Sequence, residues 1–393
     1  MRGGTVEIDI FSASITALAD LFDESQGIDF TGANGSGIVE INVKETVAGV
    51  EIDQANAAAG SEFHIYVADK KAWEGTEDAV FGSGSDVIKT GGGEFSVGVL
   101  TARDLTVSAG KITAAGAVNI RNLTIKAGSS MDVTGSFNLA ATQDLKIEQA
   151  AGGLEVGGTT GARNIVIQGG SNTFTDVVTV GATAGGDLTI TGGSNTFVAN
   201  VRAGATGAQT GNLFFRGGEN TFAGASTTLF AYHGGELSFE GGKNTFTGST
   251  AFNVQSGDTV TVDKSTFILN PGATLVSSNQ PLEFINNSVL QVGPAGTGGQ
   301  TAILTANART VTFDGSTLNL GANKLTVTDD AGVITMNNST INVRHDGTDY
   351  GRLDAGDTTV TFTGQTRLDI YGKVSDVLAA YGGSGGENYL RKR

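Results

Sequence analysis

The stretch RHDGTDYGRLDAGD, residues 344–357, gathers Arg344, His345, Asp346, Asp349, Tyr350, Arg352, Asp354 and Asp357. Such a density of acids beside bases has three chemical readings. Two carboxylates flanking a sugar linkage could cleave a glycan by acid and base or nucleophilic action. Asp346, Asp349 and Asp354 could supply oxygen ligands to calcium, the one metal this sequence suggests. Or the charges simply face water on a loop and closing coil, which is the reading adopted.

Other chemistry is sparse. FGSGSDVIK, residues 81–89, sets Gly82, Gly84, Asp86 and Ile88 in the order of a calcium-binding turn repeat. That repeat shares each ion between successive turns and occurs once here, so a plain glycine turn is expected. His64, His233 and His345 are scattered, with no zinc-site spacing. No nucleophile elbow, phosphate loop or dinucleotide fingerprint stands in its strand-turn-helix context. Trp73 is the single tryptophan, so aromatic sugar platforms would have to come from the six tyrosines. No catalytic residue and no cofactor are expected.

Composition narrows the class further. The 393 residues include 60 glycines, three prolines and no cysteine, with 40 acidic against 24 basic side chains and a net charge of −16. A backbone rich in Gly, Thr, Val, Asn and Ser favours strands and turns over long helices. The acidic balance argues against nucleic acid, which needs a concentrated positive surface. Without cysteine, disulfides and thiolate metal sites are excluded. No run reaches 18 apolar residues, so no membrane span is expected. Glu7, Asp9, Asp20, Asp23 and Glu24 make the first 25 residues unlike a signal peptide, so the chain is expected to be a fragment or to have lost one.

The elements that would position any site emerge from a period. A short apolar-x-apolar core recurs at Leu105, Leu123, Leu145, Ile165, Leu188, Leu213, Leu237, Val260, Leu282, Val311, Ile334 and Val360, with a mean spacing of about 23 residues. Alternating strand patterns at this period predict an all-β parallel β-helix, a β-solenoid of about twelve coils. GGSNTF at residues 169–174 returns at 192–197, then as GGENTF at 217–222 and GGKNTF at 241–246. Glycines suit a tight corner, and stacking would place Asn172, Asn195, Asn220 and Asn244 in an amide ladder. Phe174, Phe197, Phe222 and Phe246 would form an aromatic column beside it. Glu219 with Lys243, and Arg216 with Glu240, would fall on adjacent rungs with opposite charge.

Residues 1–100 follow the period poorly. Ile15, Leu18, Leu21 and Phe22 have helical spacing behind Ser12 or Ser14, which predicts a short amphipathic helix in a small mixed α+β N-terminal cap. The expected organisation is thus 1–100 as cap, 101–372 as parallel β-helix and 373–393 as a glycine-rich tail.

GGKNTFTGSTAFNVQSGDTV, residues 241–260, resembles the passenger-associated transport repeat of bacterial autotransporters through Gly242, Asn244, Thr245, Phe246, Thr247, Gly248, Thr250 and Gly257. TDYGRLDAGDTTVTFTGQTRLDIYG, residues 348–372, is similar to the closing segment of such passengers. The resemblance implies a right-handed β-helix, secreted or held at a bacterial outer membrane by a translocator barrel that the sequence after Tyr371 does not supply. The leading expectation is a non-enzymatic adhesin or structural stalk, with a host or bacterial surface protein or glycan as partner. The glycine-rich interruptions at 198–212 and 293–310 are the expected contact loops. A polysaccharide-degrading β-helix and a self-assembling extracellular filament, associating end to end or side by side, are the alternatives.

Overall fold

The computed structural model describes residues 5–11 and 37–371, apart from 49–50, 56, 58, 83, 127–128, 134–136, 140–143, 148–152, 157–163, 175–176, 181–184, 205–209, 256–257, 279, 297, 306, 308, 329–331, 345–350 and 356–357. These fall into two compact units, Met1–Asn195 and Thr196–Arg393. Each is a parallel β-solenoid, and every strand pairing in its registers runs parallel.

In the first unit the longest sheet runs through Thr5–Ile10, Ile38–Val43, Glu62–Val67, Asp86–Thr90, Asp104–Val107, Asn122–Ile125, Asp144–Ile147, Asn164–Ile167 and Leu188–Ile190. In the second unit the equivalent sheet holds Leu213–Phe215, Leu237–Glu240, Val260–Asp263, Leu282–Ile285, Thr310–Asp314, Val333–Asn337 and Thr359–Thr363. The twelve periodic cores each lie in one of these strands, giving about twelve turns between Leu105 and Val360. Strands before residue 101 join the same parallel register, Phe63 opposite Val87 and Val87 opposite Leu105. The predicted helix from Ser12 to Glu24 lies outside the described residues.

Each coil turns from this long sheet through a corner into a second sheet, then into a third. In one coil of the second unit these are Leu237–Glu240, Lys243–Phe246 and Ser249–Val254. Burial alternates along the strands, as period-2 geometry demands of chain with one face inside. Register then turns alternation into columns. On the long sheet Phe215 is opposite Phe239, and Phe284 opposite Phe313. Their rings stack at 4.8 Å with interplanar angles of 11° and 6°. On the second sheet Phe222 lies 5.7 Å from Phe197 and 5.1 Å from Phe246, again nearly parallel.

The corners need unusual backbone. Gly218 and Gly242 have φ of 72° and 70°, and a Cβ on Gly242 would come within 2.7 Å of the Gly218 carbonyl oxygen beneath it. Later corners dispense with the double glycine and use Lys264, Asn286, Asn287, Gly315, Asn338 and Gly364 at positive φ.

Replacing Phe239, which also touches Phe252 and Phe267, by Ala should cost about 3–5 kcal/mol in urea denaturation. The outward Thr245→Ala should stay within about 0.5 kcal/mol. Equal effects from the two would contradict the inward placement of the phenylalanine column.

Candidate functional site

The repeated asparagines are inside, at the corner between the long and second sheets. Asn172 donates from Nδ2 to Asn195 Oδ1 at 2.8 Å, and Asn220 to Asn244 Oδ1 at 3.0 Å. The same amides turn back on their own corners. Asn172, Asn195 and Asn220 donate to the carbonyls of Gly169, Gly192 and Gly217 at 3.0–3.1 Å. All four asparagines are buried, as are Phe174, Phe197, Phe222 and Phe246. Of the two charge pairs expected on adjacent rungs, Arg216 Nε reaches Glu240 Oε2 at 3.4 Å. Glu219 and Lys243 are register partners whose exposed side chains close no such pair.

Sequence reasoning missed how far this corner chemistry extends. Phe267 takes the register position of Asn244 in the next coil, and there the amide donates instead to Ser265 Oγ at 2.9 Å. From there the corner donor is a buried hydroxyl. Ser288 Oγ lies 2.8 Å from the carbonyls of Val262 and Ile285. Ser339 Oγ lies 2.9 Å from that of Phe313 and 2.8 Å from that of Asn337, and Thr366 Oγ1 serves Met336 and Thr363. The available signal was a Ser or Thr shortly after each long-sheet core, following Asp263-Lys264, Asn286-Asn287, Asp314-Gly315 and Asn337-Asn338.

In the first unit the same corner holds Ser129, bonded to Val107 and Lys126 carbonyls, and one residue of different charge. Lys89 lies between Ile65 and Val107 in register and is fully buried. Its Nζ donates to the carbonyls of Thr90, Gly91 and Ala109 at 2.8, 2.9 and 3.1 Å. Burial pulls its pKa from 10.5 to about 8, against the attraction of Asp69.

The acids are dispersed or paired. Asp346, Asp349 and His345 lie outside the described residues. Asp354 is 2.8 Å from Lys324 Nζ, a register neighbour on the third sheet. Asp86 of the 81–89 turn is held by both Nε and a terminal nitrogen of Arg103. His64 contacts Glu62 on its own strand at 3.0 Å, and Trp73 is buried against Phe95. Among the described residues no three His, Asp or Glu side chains converge as a metal site.

A concavity of about 220 Å³ opens on the outer face of the second sheet in the second unit. Its floor is an outward row in register, Gln291 opposite Asn319 and Asn319 opposite Asn342. Pro294, Ala295 and Gly296 wall one side, and Arg344 and Tyr371 stand on the other, themselves register partners. The predicted contact loop at 293–310 therefore contains a strand, Gly298–Thr305, preceded by a short turn that forms this wall. Backbone pairing to Ala322–Thr328 accounts for the difference, since glycine-rich sequence can still complete a ladder. In the other predicted loop, Val201–Ala203 is a strand.

The sequence matches no family model, and no curated protein and no solved structure matches it.

Two measurements test the corner. Asn244→Ala should cost about 1–3 kcal/mol by stranding buried partners, whereas Asn319→Ala on the outer row should be nearly neutral. For Lys89 the folded pKa lies below the unfolded one, so the unfolded chain holds the extra proton between pH 8 and 10.5. Stability contributed by this group therefore rises with pH across that window, by about 3 kcal/mol if the whole difference from 10.5 to 8 is expressed. Thermal melts of wild type and Lys89→Met over pH 7–11 should diverge with that sign, and parallel curves would refute it.

Proposed function

We propose that the chain is a non-enzymatic, secreted or cell-surface β-helical passenger of the autotransporter kind, acting as an adhesin or structural stalk. The observation that carries this reading is how the outer charges are used. They join one coil to the next: Lys71 with Glu45, Arg103 with Asp86, Lys111 with Asp132, Arg216 with Glu240, and Lys324 with Asp354. Groups committed to coil-to-coil pairing define register and are poorly placed for acid-base work on a substrate. The segment resembling a passenger repeat supports the same reading. Its Gly241-Gly242 forms a corner, and Lys243–Phe246 and Ser249–Val254 follow as the next two strands of one coil. Export across an outer membrane, a surface glycan or protein as partner, and independence from cofactors belong to the proposal.

Beads coated with the purified chain should be retained on surfaces bearing bacterial or host glycans and matrix proteins. The same preparation should release no reducing ends and no unsaturated products from acidic polysaccharides. Product release above blank, lost in an Asp346→Ala or Asp349→Ala variant, would replace this reading with the polysaccharide-degrading one.

A further inference from the structure

We infer that the concavity on the second sheet is a subsite for one carboxylated sugar unit, a uronic or sialic acid residue at the end of a glycan. The inference rests on the adhesive reading above and names its ligand class. Its basis is a contrast between two sets of amides. The inner asparagines spend their hydrogen bonds on corner carbonyls and on each other. The outward Asn319 and Asn342 make no hydrogen bond with the described residues, although they share the floor of one concavity. An amide offers two donors and an acceptor, the pattern that matches neighbouring sugar hydroxyls. Gln291 adds a third, its Nε2 tied to the Gly293 carbonyl at 2.8 Å, which fixes its orientation and leaves Oε1 for a ligand.

Arg344 decides the charge of the ligand. It is exposed and forms no ion pair among the described residues, in a chain whose net charge is −16 and whose other basic groups in this region are engaged. Asp369, the next residue of the amide row, is 3.1 Å from Arg367, so the acid of that row is already paired. A planar guanidinium at the edge of a cleft suits a carboxylate bound through two parallel hydrogen bonds. Tyr371, 59% exposed, offers an aromatic face with a polar tip against which a ring can lie. The volume is smaller than the roughly 300–1,000 Å³ of pockets for drug-sized ligands, which limits the site to about one ring. The acidic balance of the chain disfavours a long polyanion and leaves a single terminal carboxylate as the match.

The test is an NMR titration of the whole chain with the methyl glycosides of glucuronic, galacturonic and sialic acid, each beside a neutral counterpart lacking the carboxylate. At least one acidic glycoside should bind roughly tenfold more tightly than its neutral counterpart. Arg344→Ala should abolish that preference, Arg344→Lys should restore part of it, and Tyr371→Ala or Asn319→Ala should weaken both forms, with melting curves unchanged. Saturation by none of the three acids, or an unaltered preference in Arg344→Ala, would overturn the subsite. Retention of Arg344→Ala beads on glycan surfaces at the wild-type level would also overturn it, while leaving the adhesive reading intact. Failure of wild-type beads to adhere would instead sink the adhesive reading and leave the titration to judge the cleft.

Discussion

Carbonyl oxygens at the corner between the long and second sheets need donors away from bulk water, and in several of the described coils a side chain supplies one. A buried acceptor without a partner costs about 1–3 kcal/mol, comparable to losing much of a packed side chain. The chain meets this constraint with three chemistries: a lysine ammonium at Lys89, amides at Asn172, Asn195 and Asn220, and hydroxyls at Ser129, Ser288, Ser339 and Thr366. Their lengths differ, and so do the corners. The amide coils carry Gly-Gly, whereas the hydroxyl coils use a residue such as Lys264 or Asn338 at positive φ. Lys89 reaches three carbonyls from one inward position and carries the desolvation of its charge as the cost.

With the corners fixed, register follows, because a shift by one residue would turn a corner donor outward and bring a polar neighbour in. In-register stacking then makes columns of whatever the sequence repeats. The ring stacks at Phe215–Phe239 and Phe284–Phe313 add apolar burial, while the exposed cross-coil ion pairs contribute at most about 1 kcal/mol each. The charges therefore discriminate between registers more than they hold the coils together. Where Phe267 interrupts the amide column, its ring packs against Phe239, Phe246, Phe252 and Phe284, and Ser265 Oγ accepts the bond that the Asn244 amide would give to the next asparagine. A polar column can thus give way to an apolar one without breaking the stack.

The same stacking acts on the outer face. Gln291, Asn319 and Asn342 form a row for the reason the inner asparagines do, a shared register position repeated coil after coil. The inner row is consumed by the fold and the outer row is not, and pleat direction alone separates the two fates. A solenoid with short turns therefore has little need of long loops to display recognition groups. Its flat faces can do so wherever a turn such as 293–296 raises one wall.

The period, the parallel class, the amide pairs Asn172–Asn195 and Asn220–Asn244 and the ring stack of Phe197, Phe222 and Phe246 were legible in the sequence, because stacking identical coils writes each spatial column into the chain as a repeated letter. The hydroxyl corners were legible only in part. Serine and threonine are common throughout, so a column of them stands out only once each coil length is known. Strand Gly298–Thr305 was hidden by its glycines, since its place comes from backbone pairing to residues more than twenty positions away and not from its own side chains. Lys89 carries no sequence signal of burial, and its register between Ile65 and Val107 puts it inside. The concavity had no sequence signature at all. Gln291, Asn319, Asn342, Arg344 and Tyr371 come from four coils of unequal length, and only the folded register brings them to one place. Repetition is a property of the chain and could be read from it, whereas convergence of unlike residues depends on insertions whose length only the tertiary structure resolves.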